Sequence, residues 1–70
     1  MQTFSLDGRP YITLDNLLKV EGWCESGAVA KQVIAAGLVK VDGKVETRKR
    51  CKITSEQTVK FESQQIKITN

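Results

Sequence analysis

Between Lys40 and Lys52 the chain gathers six basic side chains, Lys40, Lys44, Arg48, Lys49, Arg50 and Lys52, against only Asp42 and Glu46. That window nets +4 while the remaining residues net −1, so the total of +3 is a local feature rather than a diffuse one. Arg48, Lys49 and Arg50 stand side by side and repel one another, a strain that a phosphate backbone would relieve. The planar fork of arginine suits phosphates and guanine edges, which favours a nucleic acid over a generic acidic partner. Two other readings share the pattern: a turn kept soluble by its charge, and a basic face that docks on an acidic protein.

The other reactive side chains form no catalytic set. The 70 residues include no histidine, which removes the commonest general base and the favoured zinc ligand. Cys24 and Cys51 have no C-x-x-C neighbour, and two thiols alone do not complete a four-ligand zinc site, so no metal is expected. They read as two small, partly buried thiols in a reducing compartment. Asp15, Glu21 and Glu25 have no nucleophile beside them and read as helix caps and solvated positions. Gly37 and Gly43 read as a helix stop and a turn rather than a phosphate loop. The terminus Ile68-Thr69-Asn70 lacks the Gly-Gly handle of a conjugated carrier. Composition therefore points to a binding module with no small-molecule cofactor, not to an enzyme.

The elements that must position the basic cluster are visible in the periodicity. Thr13 is a candidate N-cap, followed by Leu14, Leu17, Leu18 and Glu21 at helical spacing, with Asp15 in the first turn and Gly22 as the stop. A second helix opens at Ser26, runs through Ala28 to Ala36 and ends at Gly37. Val29, Ala30, Val33 and Ile34 share its inner arc, and Lys31 stands on the other side above small neighbours. Free backbone N–H groups at Ser26-Gly27 offer a second phosphate contact. Only Gly22-Trp23-Cys24-Glu25 joins the helices, and Trp23 reads as a core or inter-helix anchor rather than a base-stacking platform.

The period then changes to two. Leu38–Val41 and Lys44–Glu46 flank Asp42-Gly43, a strong hairpin signal, with Val39, Val41 and Val45 expected inward and Lys40 and Lys44 outward. Thr58–Glu62 and Gln65–Thr69 alternate around a Ser63-Gln64 connection, and Thr3–Leu6 is a candidate edge strand ahead of a turn at Pro10. With Ile53 inward, strand parity sends Arg48, Arg50 and Lys52 outward together and leaves Lys49 edge-on, its stem over apolar surface. The fold class is α+β, with two consecutive helices packed on a small sheet of short, mostly antiparallel strands in one domain, residues 1–70. No stretch approaches the roughly 20 apolar residues of a membrane span, and the N-terminus lacks a signal-peptide pattern, so the expected location is cytoplasmic.

The stretch from Leu14 to Val59 resembles the S4 domain, a small RNA-binding module with the alpha-L motif. The residues carrying the resemblance are Leu14, Asp15 and Leu18, then Gly22, Ser26 and Ala30, then Ile34, Gly37, Val39, Val41, Asp42 and Gly43. Glu21-Gly22-Trp23, Glu25-Ser26-Gly27-Ala28 and Val45 to Ile53 are similar to the short stand-alone bacterial members, the YbcJ-like proteins. The resemblance implies RNA binding without catalysis, on a surface built from the second helix, its N-terminal loop and the basic hairpin region. It selects Ser26, Lys31, Lys40, Lys44, Arg48, Lys49, Arg50 and Lys52 as RNA-binding residues. Gly27 replaces the arginine that many members carry after the serine, which shifts the burden to Lys31 and the Arg48–Lys52 cluster. Glu56-Gln57 replaces a Gly-Asp turn common in the family.

The reading that follows is a monomeric cytoplasmic module contacting structured RNA, ribosomal RNA among the candidates, through phosphates and shape. An A-form duplex hides its deep groove, so backbone and 2′-hydroxyl contacts fit such a surface. With few aromatics, single-strand stacking is expected to be minor. About five released counterions on single-stranded RNA give a log–log salt slope near −3.5. The alternative is a protein-interaction adaptor whose basic face docks on an acidic partner.

Overall fold

Leu14, Leu17 and Leu18 lie on one side of a helical turn, and all three are fully buried in α1 (Leu14–Val20) of the computed structural model, which describes residues 2–70. Thr13 holds the extended N-cap conformation, yet its side chain makes no capping bond. The first-turn donors are met from across the fold instead. Leu14 N–H donates to the Cys51 carbonyl at 2.8 Å, and Asp15 N–H donates to the Lys49 carbonyl at 3.2 Å. Helix α1 therefore starts against the basic segment, which fills part of the capping role that helix ends require.

Both helices stop by the same device. At the end of α1, Gly22 N–H donates to Lys19 and Trp23 N–H to Leu18, with Gly22 at φ +75°. At the end of α2 (Gly27–Ala35), Gly37 N–H donates to Ile34 and Leu38 N–H to Val33, with Gly37 at φ +79°. This paired bonding around a left-handed residue is the Schellman arrangement, which glycine adopts without a Cβ penalty.

Ala30 and Ile34 define the buried line of α2. Val33 packs against the core but is only half-buried, and Val29, also expected there, is exposed at 37% and does not join it. At 3.6 residues per turn, Val29 lies about 120° from the midline between Ala30 and Ile34, too far round to reach it. Lys31 lies about 80° from that midline on the opposite flank to Val33, and is half-buried rather than free-standing.

Five strands form the main sheet: β1 (Gln2–Ser5), β3 (Val39–Val41), β4 (Lys44–Val45), β6 (Thr58–Phe61) and β7 (Gln64–Thr69), in the order β1-β7-β6-β3-β4. Among the described residues only the β1–β7 pairing is parallel, and β1 lies at the edge of the sheet as expected, though it ends at Ser5 and leaves Leu6 outside the strand. Val39, Val41, Val59, Phe61, Ile66 and Ile68 turn to the helices and close the core, each aliphatic side chain contributing about 1.5–3 kcal/mol by its burial. Trp23 packs at the edge of that core, its ring stacked on Phe61 with centroids 6.5 Å apart, as an anchor between helix and sheet. A separate ribbon pairs β2 (Ile12–Thr13) with β5 (Lys52–Ile53), Ile12 opposite Ile53 and Thr13 opposite Lys52.

Three expectations of register are corrected. Val45 is exposed at 55% because it pairs with Lys40, while Lys44 pairs with Val41. Residues directly opposite in an antiparallel pair share a face, so a two-residue turn at Asp42-Gly43 puts Val45 beside Lys40. The second hairpin turns at Glu62-Ser63, one residue earlier than expected, since Phe61 pairs with Gln64. That turn needs Glu62 at φ +58°, an uncommon conformation for glutamate. Strand parity also fails over Arg48–Cys51, which form a turn closed by Cys51 N–H donating to the Arg48 carbonyl. At Glu56-Gln57, Glu56 itself takes φ +75°, a conformation more usual for glycine, and its N–H donates to the Ile68 carbonyl at 2.7 Å.

Candidate nucleic-acid interface

The basic loop is built from the backbone outward. Carbonyls of Lys49 and Cys51 are committed to the start of α1, and β5 locks Lys52 against Thr13. With its main chain held on the body, the loop turns its side chains to solvent: Arg48, Lys49, Arg50 and Lys52 are all exposed. Lys49 is therefore not edge-on; it occupies a corner of the turn with Arg50.

Glu46 organises the near side of this loop. Its carboxylate accepts from Arg48 Nε and Nη2 at 3.0 Å each, a two-pronged ion pair, and from the Arg48 backbone N–H at 3.0 Å. The Glu46 side chain is only 17% exposed while that of Arg48 is 75% exposed, so the guanidinium keeps an open side. Hydrogen bonds from the Arg48 side chain and backbone lower the Glu46 carboxyl from 4.5 to about 2. Arg48 in turn is held still more firmly in its charged form by Glu46. The Cys51 thiol completes the cluster, 3.6 Å from Arg48 Nη2 and 3.7 Å from Glu46 Oε1. Burial first, and the Glu46 charge second, push that thiol above its ordinary value.

Arg48, Arg50, Cys51 and Lys52 line one open depression. At its rim the Lys52 ammonium sits over the Tyr11 ring, 5.0 Å from the centroid, and Tyr11 is 39% exposed. Among the described residues, Lys49, Arg50 and Lys52 make no salt bridge, so three cations face solvent without an acidic neighbour in contact.

The remaining residues singled out in the sequence do not all join this cluster. Ser26 caps α2, its hydroxyl accepting from Val29 N–H at 3.3 Å. Lys44 stands beside the turn of the first hairpin. Lys40 lies between inward-facing Val39 and Val41 and opposite Lys60, so it projects from the sheet face turned away from the helices. Asp15 is buried rather than solvated, and its Oδ1 has no hydrogen-bond partner. No group of three or more His, Cys, Asp or Glu among the described residues could hold a metal ion.

Glu46, which sequence reasoning counted only as a subtracted charge, and Tyr11 are the additions the structure makes. The first had a signal two residues away in Arg48. The second had none, because it depends on β2 meeting β5, two two-residue strands with no period to detect.

Comparison with known proteins extends the geometry. The sequence profile described as S4 domain matches residues 4–69. YbcJ of Escherichia coli (strain K12), named as a candidate RNA-binding protein, is 59% identical over 68 residues, covering 97% of each chain. A protein also called YbcJ from Shigella flexneri matches to the same extent. The solution structure of E. coli YbcJ, described as revealing an alpha-L motif involved in RNA-binding, superposes with a TM-score of 0.77 at 57% identity. That match covers 100% of this chain and 89% of the other.

Proposed function

Because the chain belongs to the S4 domain family, we propose that it is an RNA-binding module of the alpha-L type, with the Arg48–Lys52 loop as its phosphate-contacting face. The observation that carries this reading is the loop's construction. Its main chain is tied to α1 while Lys49, Arg50 and Lys52 stand exposed without salt bridges. A main chain already held on the body suits phosphate binding, since little loop ordering remains to be done and the unpaired side chains have no acidic partner to give up.

The ligand is structured RNA, with ribosomal RNA among the candidates. Contacts go to phosphates and 2′-hydroxyls across the shallow groove of an A-form helix. Lys31, Lys44 and Ser26 extend the face at lower weight, Ser26 because its hydroxyl already serves the helix. Lys40 contributes least, since it projects from the outer sheet face. The module works as a monomer in the cytoplasm, a reducing compartment that fits two free thiols. It is a binding protein rather than an enzyme.

Fluorescence anisotropy with a labelled RNA hairpin across a salt series tests this. Each cation contact to the duplex stem should add about −0.9 to the log–log salt slope, and Lys49, Arg50 and Lys52 changed together to Gln should flatten the slope by about 2.7. A slope untouched by the triple substitution would remove the loop from the interface. A partner from lysate that survives ribonuclease would move the reading to an acidic protein.

A further inference from the structure

Tyr11 is the aromatic side chain that the fold brings to the basic loop. It precedes β2, and the β2–β5 ribbon sets it beside Lys52, whose ammonium lies 5.0 Å from its ring centroid. The ring is 39% exposed, and Lys52 is also part of the depression lined by Arg48, Arg50 and Cys51. Trp23 and Phe61, by contrast, stack on each other within the body of the fold.

An exposed aromatic ring next to unpaired cations offers two different contacts within one nucleotide's reach. A base finds a π-face on which any nucleobase can stack. Its phosphate finds an ammonium already held at that ring by the cation–π attraction. Base pairs inside a duplex cannot use the first contact, because each face is covered by its neighbour and only edges, 2′-hydroxyls and backbone reach the surface.

We infer that Tyr11 and Lys52 form a subsite for one unpaired nucleotide, so that the preferred ligand is RNA in which a duplex adjoins an unpaired base. The loop cations Lys49 and Arg50 hold the duplex backbone, and Tyr11 receives the base that leaves the stack. This rests on the RNA-binding reading above and names the RNA class that the same site takes.

The test compares two labelled RNAs of equal duplex length, one blunt and one with a two-nucleotide unpaired extension, by anisotropy at fixed salt. Tyr11→Leu keeps apolar bulk beside Lys52 but removes the π-face; Tyr11→Phe keeps the π-face. Wild-type protein should prefer the extended RNA. Tyr11→Leu should weaken binding to it by about fivefold or more, the low end of base–aromatic stacking, and change the blunt duplex by less than about twofold. Tyr11→Phe should behave as wild type on both, with the folded spectrum of each variant confirmed by NMR. Equal losses on the two RNAs, or no loss on either, overturn the subsite while leaving the loop as interface. Failure of the wild-type protein to bind either RNA overturns the broader reading itself.

Discussion

The Glu46 carboxylate grips Arg48 three times over, through Nε, Nη2 and the backbone N–H, each at 3.0 Å. The nominal cluster of four cations is therefore one neutralised arginine followed by three free positive charges. Exposed ion pairs of this kind contribute little to stability, but they fix where a guanidinium points.

Binding should divide unequally between the two arginines. Arg50 has no acidic partner, so Arg50→Ala should lower RNA affinity by about tenfold, one charged hydrogen bond's worth. Arg48 must share its fork with Glu46, so Arg48→Ala should lower affinity by about threefold or less. Titrations of both single variants at one salt concentration check this. Equal losses would mean that Glu46 releases Arg48 on binding.

The Glu46 grip should respond to acid, with a definite sign. The folded carboxyl sits near 2, below its ordinary 4.5, so the grip adds stability above about 4.5 and loses it as pH falls toward 2. Carboxyl-carbon NMR should show the Glu46 midpoint close to 2, with the Arg48 Nε–H signal broadening over the same range. Glu46→Gln should abolish that coupled change. A Glu46 midpoint near 4.5 would show that the fork is open in solution.

Cys51 should be a slow thiol despite its place at the surface. Burial and the Glu46 charge both disfavour its thiolate, and the thiolate is the reactive form. Disulfide-exchange labelling at pH 8 should therefore proceed below the rate of a free thiol. Glu46→Gln should accelerate it several-fold by leaving Arg48 as the nearest charge. Cys24 is buried at 5% exposure and raised by that burial first and the Glu62 charge second, and should stay slow in both proteins.

What could be read from the sequence was what is decided locally. Gly22 and Gly37 mark helix stops because a left-handed residue is needed one step after each helix, and the bonds from Trp23 and Leu38 confirm it. Asp42-Gly43 takes positive φ at both positions, as its type of two-residue turn demands. The resemblance to the S4 domain rested on these same positions. The misplacement of Val45 came from extending alternation through a turn without pairing it across. The position of Arg48–Lys52 was legible as charge but not as geometry, since its carbonyls reach Leu14 and Asp15 from far along the chain. Two-residue strands such as β2 and β5 carry no periodic signal at all, which is why Tyr11 was not connected to Lys52.

Glu62 offers a stabilising substitution. It occupies the first central position of the turn between Phe61 and Gln64 at φ +58°, where a side chain is disfavoured and glycine is not. Glu62→Gly should raise stability by about 1 kcal/mol, read as a higher urea midpoint with an unchanged slope. A fall in the midpoint would mean that Glu62 makes a compensating contact in solution.

Asp42 carries more than its turn. Besides its left-handed φ of +52°, its Oδ1 accepts from Thr58 N–H at 2.9 Å and its Oδ2 from Gln57 Nε2 at 3.4 Å. Its own N–H donates to the Thr58 carbonyl at 2.8 Å, so one residue joins the tip of the β3–β4 hairpin to the start of β6. Asp42→Ala loses both side-chain bonds and keeps the unfavourable φ, and should lower stability by about 2 kcal/mol. Asp42→Asn retains an acceptor and tolerates that φ, so its loss should be about half as large. Because Asp42 lies outside the Arg48–Lys52 loop, RNA affinity measured below the unfolding transition should stay within about twofold for both variants, on the additivity expected of separate sites. Urea melts paired with anisotropy separate the two quantities. A variant that melted normally but bound poorly would raise Lys44, at the same hairpin tip, from a lower-weight contact to a main one.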